Sequence, residues 1–199
     1  TCIIICYMEL FSRIREFFDR YINSAKPIIV HKSNRIPESA SIAQSHTTAL
    51  SAGDDVVDAA FIQAAVIRAD DEEEVIRAVK AMQLPPMRGK KVAVLSRSGG
   101  HAVISADACA KYGFDMIQFP EGFLNAIRGM YETRVISHQN PLDLGEIFDY
   151  TIFTRILEEA LKLDEVDGVL FNHLYQSEYE ADTSRTFLGS VVKLVEKYD

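Results

Sequence analysis

Apolar and polar positions along this chain alternate between two periods. Ile3-Ile4-Ile5-Cys6-Tyr7 is an unbroken, largely β-branched run, the pattern of a parallel strand covered on both faces, and it ends at Met8-Glu9. Phe11, Ile14, Phe17, Phe18, Tyr21 and Ile22 then recur at helical spacing, with Arg13, Arg15, Glu16 and Arg20 between them. Lys26-Pro27 breaks that helix and Ile28-Ile29-Val30 reads as a second buried strand. This is a β-α-β unit, so the two strands should be parallel neighbours. From Lys32 to Ser45 the composition turns polar, as in a surface loop. A helix follows from about Asp54 to Ala65, then a short strand at Val66-Ile67-Arg68. Asp71 caps a helix running to about Met82, with Glu72, Glu73 and Glu74 in its first turn, where negative charge suits the helix dipole. Residues spaced in that way point in different directions, so the acidic cluster is a helix start and not a metal site.

Leu84-Pro85-Pro86-Met87-Arg88-Gly89 is the best candidate linker. Beyond it, Lys91 to Ser96 reads as a buried strand running into Arg97-Ser98-Gly99-Gly100-His101. A helix through Val103, Ile104, Ala106 and Cys109 ends at Gly113, a residue suited to a C-cap. A short strand near Met116-Ile117-Gln118, a helix around Gly122 to Met130 and an extended piece at Val135-Ile136 come next. Asn140-Pro141-Leu142-Asp143-Leu144-Gly145 reads as a proline-stiffened polar turn opening a helix at Phe153 to Leu161. Val166 to Phe171 is a further strand and Thr186 to Lys197 the closing helix. Strands and helices alternate throughout, which predicts an α/β fold with mainly parallel sheets, each half able to make its own open sheet.

The totals narrow the function. The 199 residues carry a formal net charge of −8, which with no basic stripe speaks against a general nucleic-acid binder. Cys2, Cys6 and Cys109 show neither metal spacing nor an even disulfide framework, which points to a reducing, cytoplasmic setting. The apolar run from Cys2 to Met8 is too short to span a membrane. The chain opens on Thr1 with a buried-type strand at once, and reads as a piece of something longer.

Two stretches offer chemistry. Ser45-His46-Thr47-Thr48-Ala49-Leu50-Ser51-Ala52-Gly53 places an imidazole among small residues and hydroxyls, directly ahead of a helix. There backbone N–H groups and the helix dipole can face an anion. The ring itself can serve as nucleophile or proton carrier. Locally, such a histidine is more often an ordinary solvated loop residue. Ser98-Gly99-Gly100 has the strand–glycine turn–helix layout of an anion-binding turn. It is neither GxGxxG nor a P-loop, and a glycine pair serves tight packing just as well.

Four stretches together resemble one family. They are Tyr7-Met8-Glu9; Lys26-Pro27-Ile28-Ile29-Val30-His31-Lys32-Ser33; Ser45-His46-Thr47-Thr48-Ala49-Leu50 with Asp58-Ala59-Ala60-Phe61; and Ser98-Gly99-Gly100 with Asn140-Pro141-Leu142-Asp143-Leu144. In order and spacing the chain is similar to the nucleoside-diphosphate-forming acyl-CoA synthetases, that is, succinyl-CoA synthetase and the ADP-forming acetate–CoA ligases. The resemblance implies two flavodoxin-like subdomains of the succinyl-CoA synthetase type, at 1–86 and 88–199, the first bearing a phosphohistidine. By the same resemblance His46 is phosphorylated and relays phosphate between an acyl phosphate and a nucleotide, while Glu9 orients its ring. Thr47, Thr48, Gly53, Ser98, Gly99 and Gly100 would then bind the phosphate.

It also implies partners: a CoA-binding Rossmann domain, an ATP-grasp domain or subunit and a small carboxylic acid, in an oligomer without nucleic acid or membrane. CoA and Mg-ATP or Mg-GTP would serve the complete enzyme, with no cofactor or metal held by this piece and no activity from it alone. Two positions depart from the family, which usually has glycine where Thr48 stands and a glycine-type position at Ala52. His101 stands where a small residue or proline is expected. The alternative is a degenerate, non-catalytic module of the same kind that senses a ligand or acts as a scaffold.

Overall fold

The computed structural model describes residues 3–10, 13–22, 24, 26–36, 38–39, 53–131, 138–174 and 177–198. The chain divides into two units, Thr1–Pro86 and Met87–Asp199. The predicted extended piece at Val135-Ile136 lies outside the described residues.

In the first unit, β1 (Ile4–Met8), β2 (Ile28–Lys32) and β3 (Ile67–Ala69) form a three-stranded sheet in that order, parallel throughout. Helix α1 (Ile14–Tyr21) connects the first pair, and α2 (Asp54–Gln63) precedes β3. Phe17, Phe18 and Tyr21 of α1 and Val57 and Phe61 of α2 pack with Ile28 and Val30, so these helices cover one face of the sheet. Helix α3 (Glu72–Ala81) lies against β2 and β3, and its N-cap Asp71 accepts a hydrogen bond from the Glu74 amide at 2.7 Å. The first strand departs from expectation. Ile5 is 55% and Tyr7 61% exposed, so β1 is covered on one face only. An apolar run alone does not tell a strand covered on both faces from one covered on a single face.

The second unit is built around β4 (Lys91–Ser96). Its residue Val92 pairs with both Met116 of β5 (Asp115–Met116) and Gly168 of β7 (Gly168–Asn172). Leu95 pairs with both Leu142 of β6 (Leu142–Asp143) and Phe171 of β7. A strand has two hydrogen-bonding edges, so β7 runs along one while β5 and β6 share the other end to end. All pairings are parallel. Helix α4 (Gly99–Tyr112) covers one face through Cys109 against Val92 and Val94, and ends at Gly113 in the left-handed conformation (φ 73°) expected of a glycine C-cap. On the other face α5 (Glu121–Arg128), α6 (Tyr150–Leu161) and α7 (Glu178–Tyr198) bury Ile127, Phe153, Ile156 and Phe187 against Ala93 and Leu95.

Three elements differ from the sequence reading. Asn140 to Gly145 is not simply a turn opening a helix: Leu142-Asp143 is a strand, and α6 begins at Tyr150 behind its own N-cap, Asp149, which accepts from the Thr151 amide at 2.8 Å. Asn140, before a cis peptide bond to Pro141, uses its side chain as a missing rung. Its Oδ1 accepts from Val94 N at 2.9 Å, and its Nδ2 donates to Val92 O at 2.8 Å and Ile117 O at 3.0 Å, filling the edge where β5 has ended and β6 has not begun. Helix α7 starts at Glu178, ahead of the predicted Thr186, because its first turns are polar and give no apolar period. Among the described residues no helix is long and apolar enough to cross a membrane.

Candidate functional site

The carboxyl ends of parallel strands in an open α/β sheet are where such folds place ligands. In the first unit Glu9 stands one residue past β1 at that end. Its Oε1 accepts a hydrogen bond from the Tyr7 hydroxyl at 3.3 Å, and the same hydroxyl is 3.1 Å from Ser33 Oγ on the chain leaving β2. The Tyr7 ring stacks on His31, its register partner in β2, with centroids 5.6 Å apart and planes at 18°. Tyr7 thus ties Glu9 to the exit of β2. His46, Thr47 and Thr48 lie outside the described residues, and so does any hydrogen bond from Glu9 to the His46 ring.

Where the chain returns at Gly53, the first turn of α2 is itself acidic, with Asp54 and Asp55. Gly53 is the N-cap at φ −57°, and a Cβ there would come within 2.6 Å of the movable carboxylate of Asp55. Three cations converge on Asp54. Arg68 of β3 donates from Nη2 to both carboxylate oxygens (2.8 and 2.9 Å), Arg35 donates from Nε at 3.2 Å, and Lys32 Nζ lies at 3.3 Å. Arg68 also binds Asp58, one helical turn on, and Arg35 binds Asp70. Burial alone would raise the Asp54 carboxyl. The hydrogen bond and charge of Arg68, then the hydrogen bonds of Lys32 and Arg35, outweigh it and hold the group below its ordinary range. The sequence reading missed this cluster. Its one trace was Asp54 and Asp58 at helical spacing on α2, with lone cations at the ends of two strands.

In the second unit the turn after β4 is tightly built. Ser96 Oγ donates to Ser98 O at 2.8 Å and accepts from Ser98 N at 3.2 Å. Gly99 opens α4, and a Cβ on it would lie 2.8 Å from Asp143 Oδ2. The other oxygen of Asp143 accepts from Gly145 N at 2.9 Å. The structure therefore brings Ser98, Gly99 and Gly100 together at the helix N-terminus, with a carboxylate of the same unit against Gly99. His101 Nδ1 and Ser98 Oγ share a hydrogen bond of 3.3 Å.

Behind this turn Arg97, 7% exposed in its side chain, packs over the rings of Tyr150 (4.6 Å) and Phe153 (5.0 Å). It donates to Tyr150 Oη at 2.7 Å and to Leu174 O, and lies 3.6 Å from Glu180. His173 hydrogen-bonds Ser184 in the same cluster; burial, and then the charge of Arg97, push its pKa below the usual histidine range.

Residues 1–82 match the family model of the succinyl-CoA ligase-like flavodoxin domain. Over 178 residues the chain is 32% identical to a 4-hydroxybutyrate–CoA ligase (ADP-forming) of Nitrosopumilus maritimus, a match covering 85% of this chain and 25% of that protein. Over 193 residues it is 29% identical to acetate–CoA ligase (ADP-forming) II of Archaeoglobus fulgidus, covering 92% of this chain and 28% of that one. Among solved structures, a dinucleotide-forming acetyl-coenzyme A synthetase 1 of Ca. Korarchaeum cryptofilum, in complex with phosphate and ADP, superposes with a TM-score of 0.79 at 26% identity. That match covers 100% of this chain and 43% of the other. The chain thus spans only about a quarter of the curated relatives and under half of the solved one.

Proposed function

This chain belongs to the nucleoside-diphosphate-forming acyl-CoA synthetase family, and from that premise we propose that it is the phosphate-relay part of such an enzyme. A ring nitrogen of His46 attacks the terminal phosphorus of a nucleoside triphosphate. An N–P bond forms as the P–O bond to the departing diphosphate breaks. A substrate carboxylate then takes the phosphoryl group, the N–P bond breaks, and the acyl phosphate goes on to react with the thiol of CoA. Glu9 holds the other ring nitrogen, which fixes the tautomer and stabilises positive charge on the ring.

Thr47, Thr48 and Gly53 supply fixed dipoles to the phosphate in the first unit, and Ser98, Gly99 and Gly100 offer phosphate-binding dipoles of their own in the second. Residues 1–86 are the phosphohistidine subdomain and 88–199 the second flavodoxin-like subdomain. CoA and Mg-ATP or Mg-GTP bind the Rossmann and ATP-grasp partners, and the piece alone turns nothing over.

One observation carries this reading: Glu9 stands at the carboxyl end of β1, tied through Tyr7 to the exit of β2, from which the chain runs on to His46. The complete enzyme incubated with labelled Mg-ATP should gain an acid-labile, base-stable phosphate that His46→Asn abolishes without unfolding the protein. Glu9→Gln should slow labelling by about 100-fold or more. Normal labelling of His46→Asn would overturn the assignment.

The second reading, a sensing or scaffolding module, is favoured by Asp143, whose carboxylate already lies against Gly99 at the α4 N-terminus. A complete protein that never labels would put that reading in its place.

A further inference from the structure

Lys32 ends β2 with its side chain 1% exposed, the largest fully buried side chain among the described residues. A buried ammonium is costly unless every proton finds a partner. Here Nζ donates to Ser33 O at 3.0 Å and Asn34 O at 3.1 Å, and lies 3.3 Å from Asp54 Oδ1. The first two acceptors are the first carbonyls of the chain leaving the sheet. The third is the first residue of α2, where that chain returns. One cation therefore ties departure to return, on either side of the stretch of sequence that carries His46. Arg68 fixes the return from β3 by holding both oxygens of Asp54, and Arg35 links it to Asp70. Three cations face three carboxylates, so the knot is locally neutral and leaves little net charge to attract a phosphate itself.

We propose that Lys32 and Asp54 are positioning residues for the phosphoryl transfer, a clasp at the base of the 33–53 segment that sets where His46 can stand. This rests on the phosphohistidine reading above.

The test uses the complete enzyme. Lys32→Ala leaves Asp54 paired with Arg68 and Arg35, so near-UV dichroism should stay native while labelling of His46 by Mg-ATP slows by about tenfold or more. The KM for nucleotide should stay within about twofold, because binding is not what the clasp governs. Added n-propylammonium, which replaces the deleted Cγ-to-Nζ stem, should restore most of the rate, and tetramethylammonium at equal ionic strength should not. Asp54→Asn, which keeps the shape and weakens the ionic hold, should slow labelling in the same sense and serves as the judge if Lys32→Ala does not fold.

Labelling at the wild-type rate in a folded variant overturns the proposal. So does slowing without amine rescue, or slowing matched by a rise in KM, since either marks general loosening. A wild-type enzyme that takes no label on His46 overturns the phosphohistidine reading and the clasp with it. That failure is seen in the wild-type arm before any variant is made.

Discussion

Around Asp54 three cations meet three carboxylates, whereas around Arg97 a single cation lies over two aromatic rings with one carboxylate beside it. Both clusters sit at the carboxyl ends of parallel strands. Among the described residues the main core cluster of the first unit is small, six buried apolar residues around β2 and α2, and the unit holds its strand ends with charge. The second has a core running from Ala93 to Leu194 and holds its strand ends with rings and a side-chain amide. Ionic knots resist the removal of any one member, because the remaining charges keep partners. Aromatic packing has no such reserve and fails by leaving a void. The difference predicts which kind of change each unit tolerates.

The largest effect should come from the second unit. Phe153→Ala empties a fully buried site between Arg97, Tyr150 and Phe187 and should cost about 3–5 kcal/mol in urea titration. An equal loss from Val57→Ala, a fully buried site in the smaller core of the first unit, would break the comparison. Arg68→Met removes the best-paired cation of the ionic knot. Asp54 keeps Lys32 and Arg35, so the loss should be about 2 kcal/mol, short of what breaking an isolated buried pair costs.

Asn140→Ala leaves Val94 N–H without its acceptor and should cost about 1–3 kcal/mol, with the damage confined to the second unit. Asp71→Ala deletes the N-cap of α3 and should cost about 1 kcal/mol in the first.

The smallest effect is read against pH. The folded His173 binds its proton less readily than the ordinary 6.5, so the unfolded chain takes up a proton that the native ring refuses. Stability of the second unit should fall as pH drops below 6.5 toward the depressed native value, and then level off. Asp54, also depressed, stabilises the first unit fully above the ordinary 3.8 and loses that contribution only as pH falls through its lower native value. Acid titration followed by NMR signals from each unit should therefore disturb the second unit first. His173→Gln should remove the earlier step and leave the later one.

The sequence was legible where a signal is local and long. Runs such as Ile28-Ile29-Val30 and Lys91 to Ser96 declare buried parallel strands, and Gly113 and Asp71 mark helix ends by chemistry that needs no neighbours. It was silent where a role depends on distant partners. The two-residue strand β6 carries no period of its own, and Asn140 before proline reads as a turn until Val94 and Ile117 are placed beside it. Of the candidate site, Glu9 stood out through the resemblance, as the carboxylate just past the first apolar strand. Lys32 did not, because among Ser33 and Asn34 it looks solvated, and only Asp54 shows that it is buried. Gly99 and Asp143 both stood in stretches that carry the resemblance, but nothing in the sequence says that the one makes room for the other.

The place of β4 at the hub of its sheet also bears on how the chain meets the ribosome. The first sheet has all its strands once Ala69 has emerged, because β1, β2 and β3 follow in order. The strand β4 gains only a two-residue partner in β5, and its full-length partner β7 is not made until Asn172. At about 5–20 residues per second, Val92-Ala93-Val94-Leu95 spends several seconds as an unpaired apolar strand outside the exit tunnel. That stretch, buried in the finished protein, is the natural target for a chaperone during synthesis.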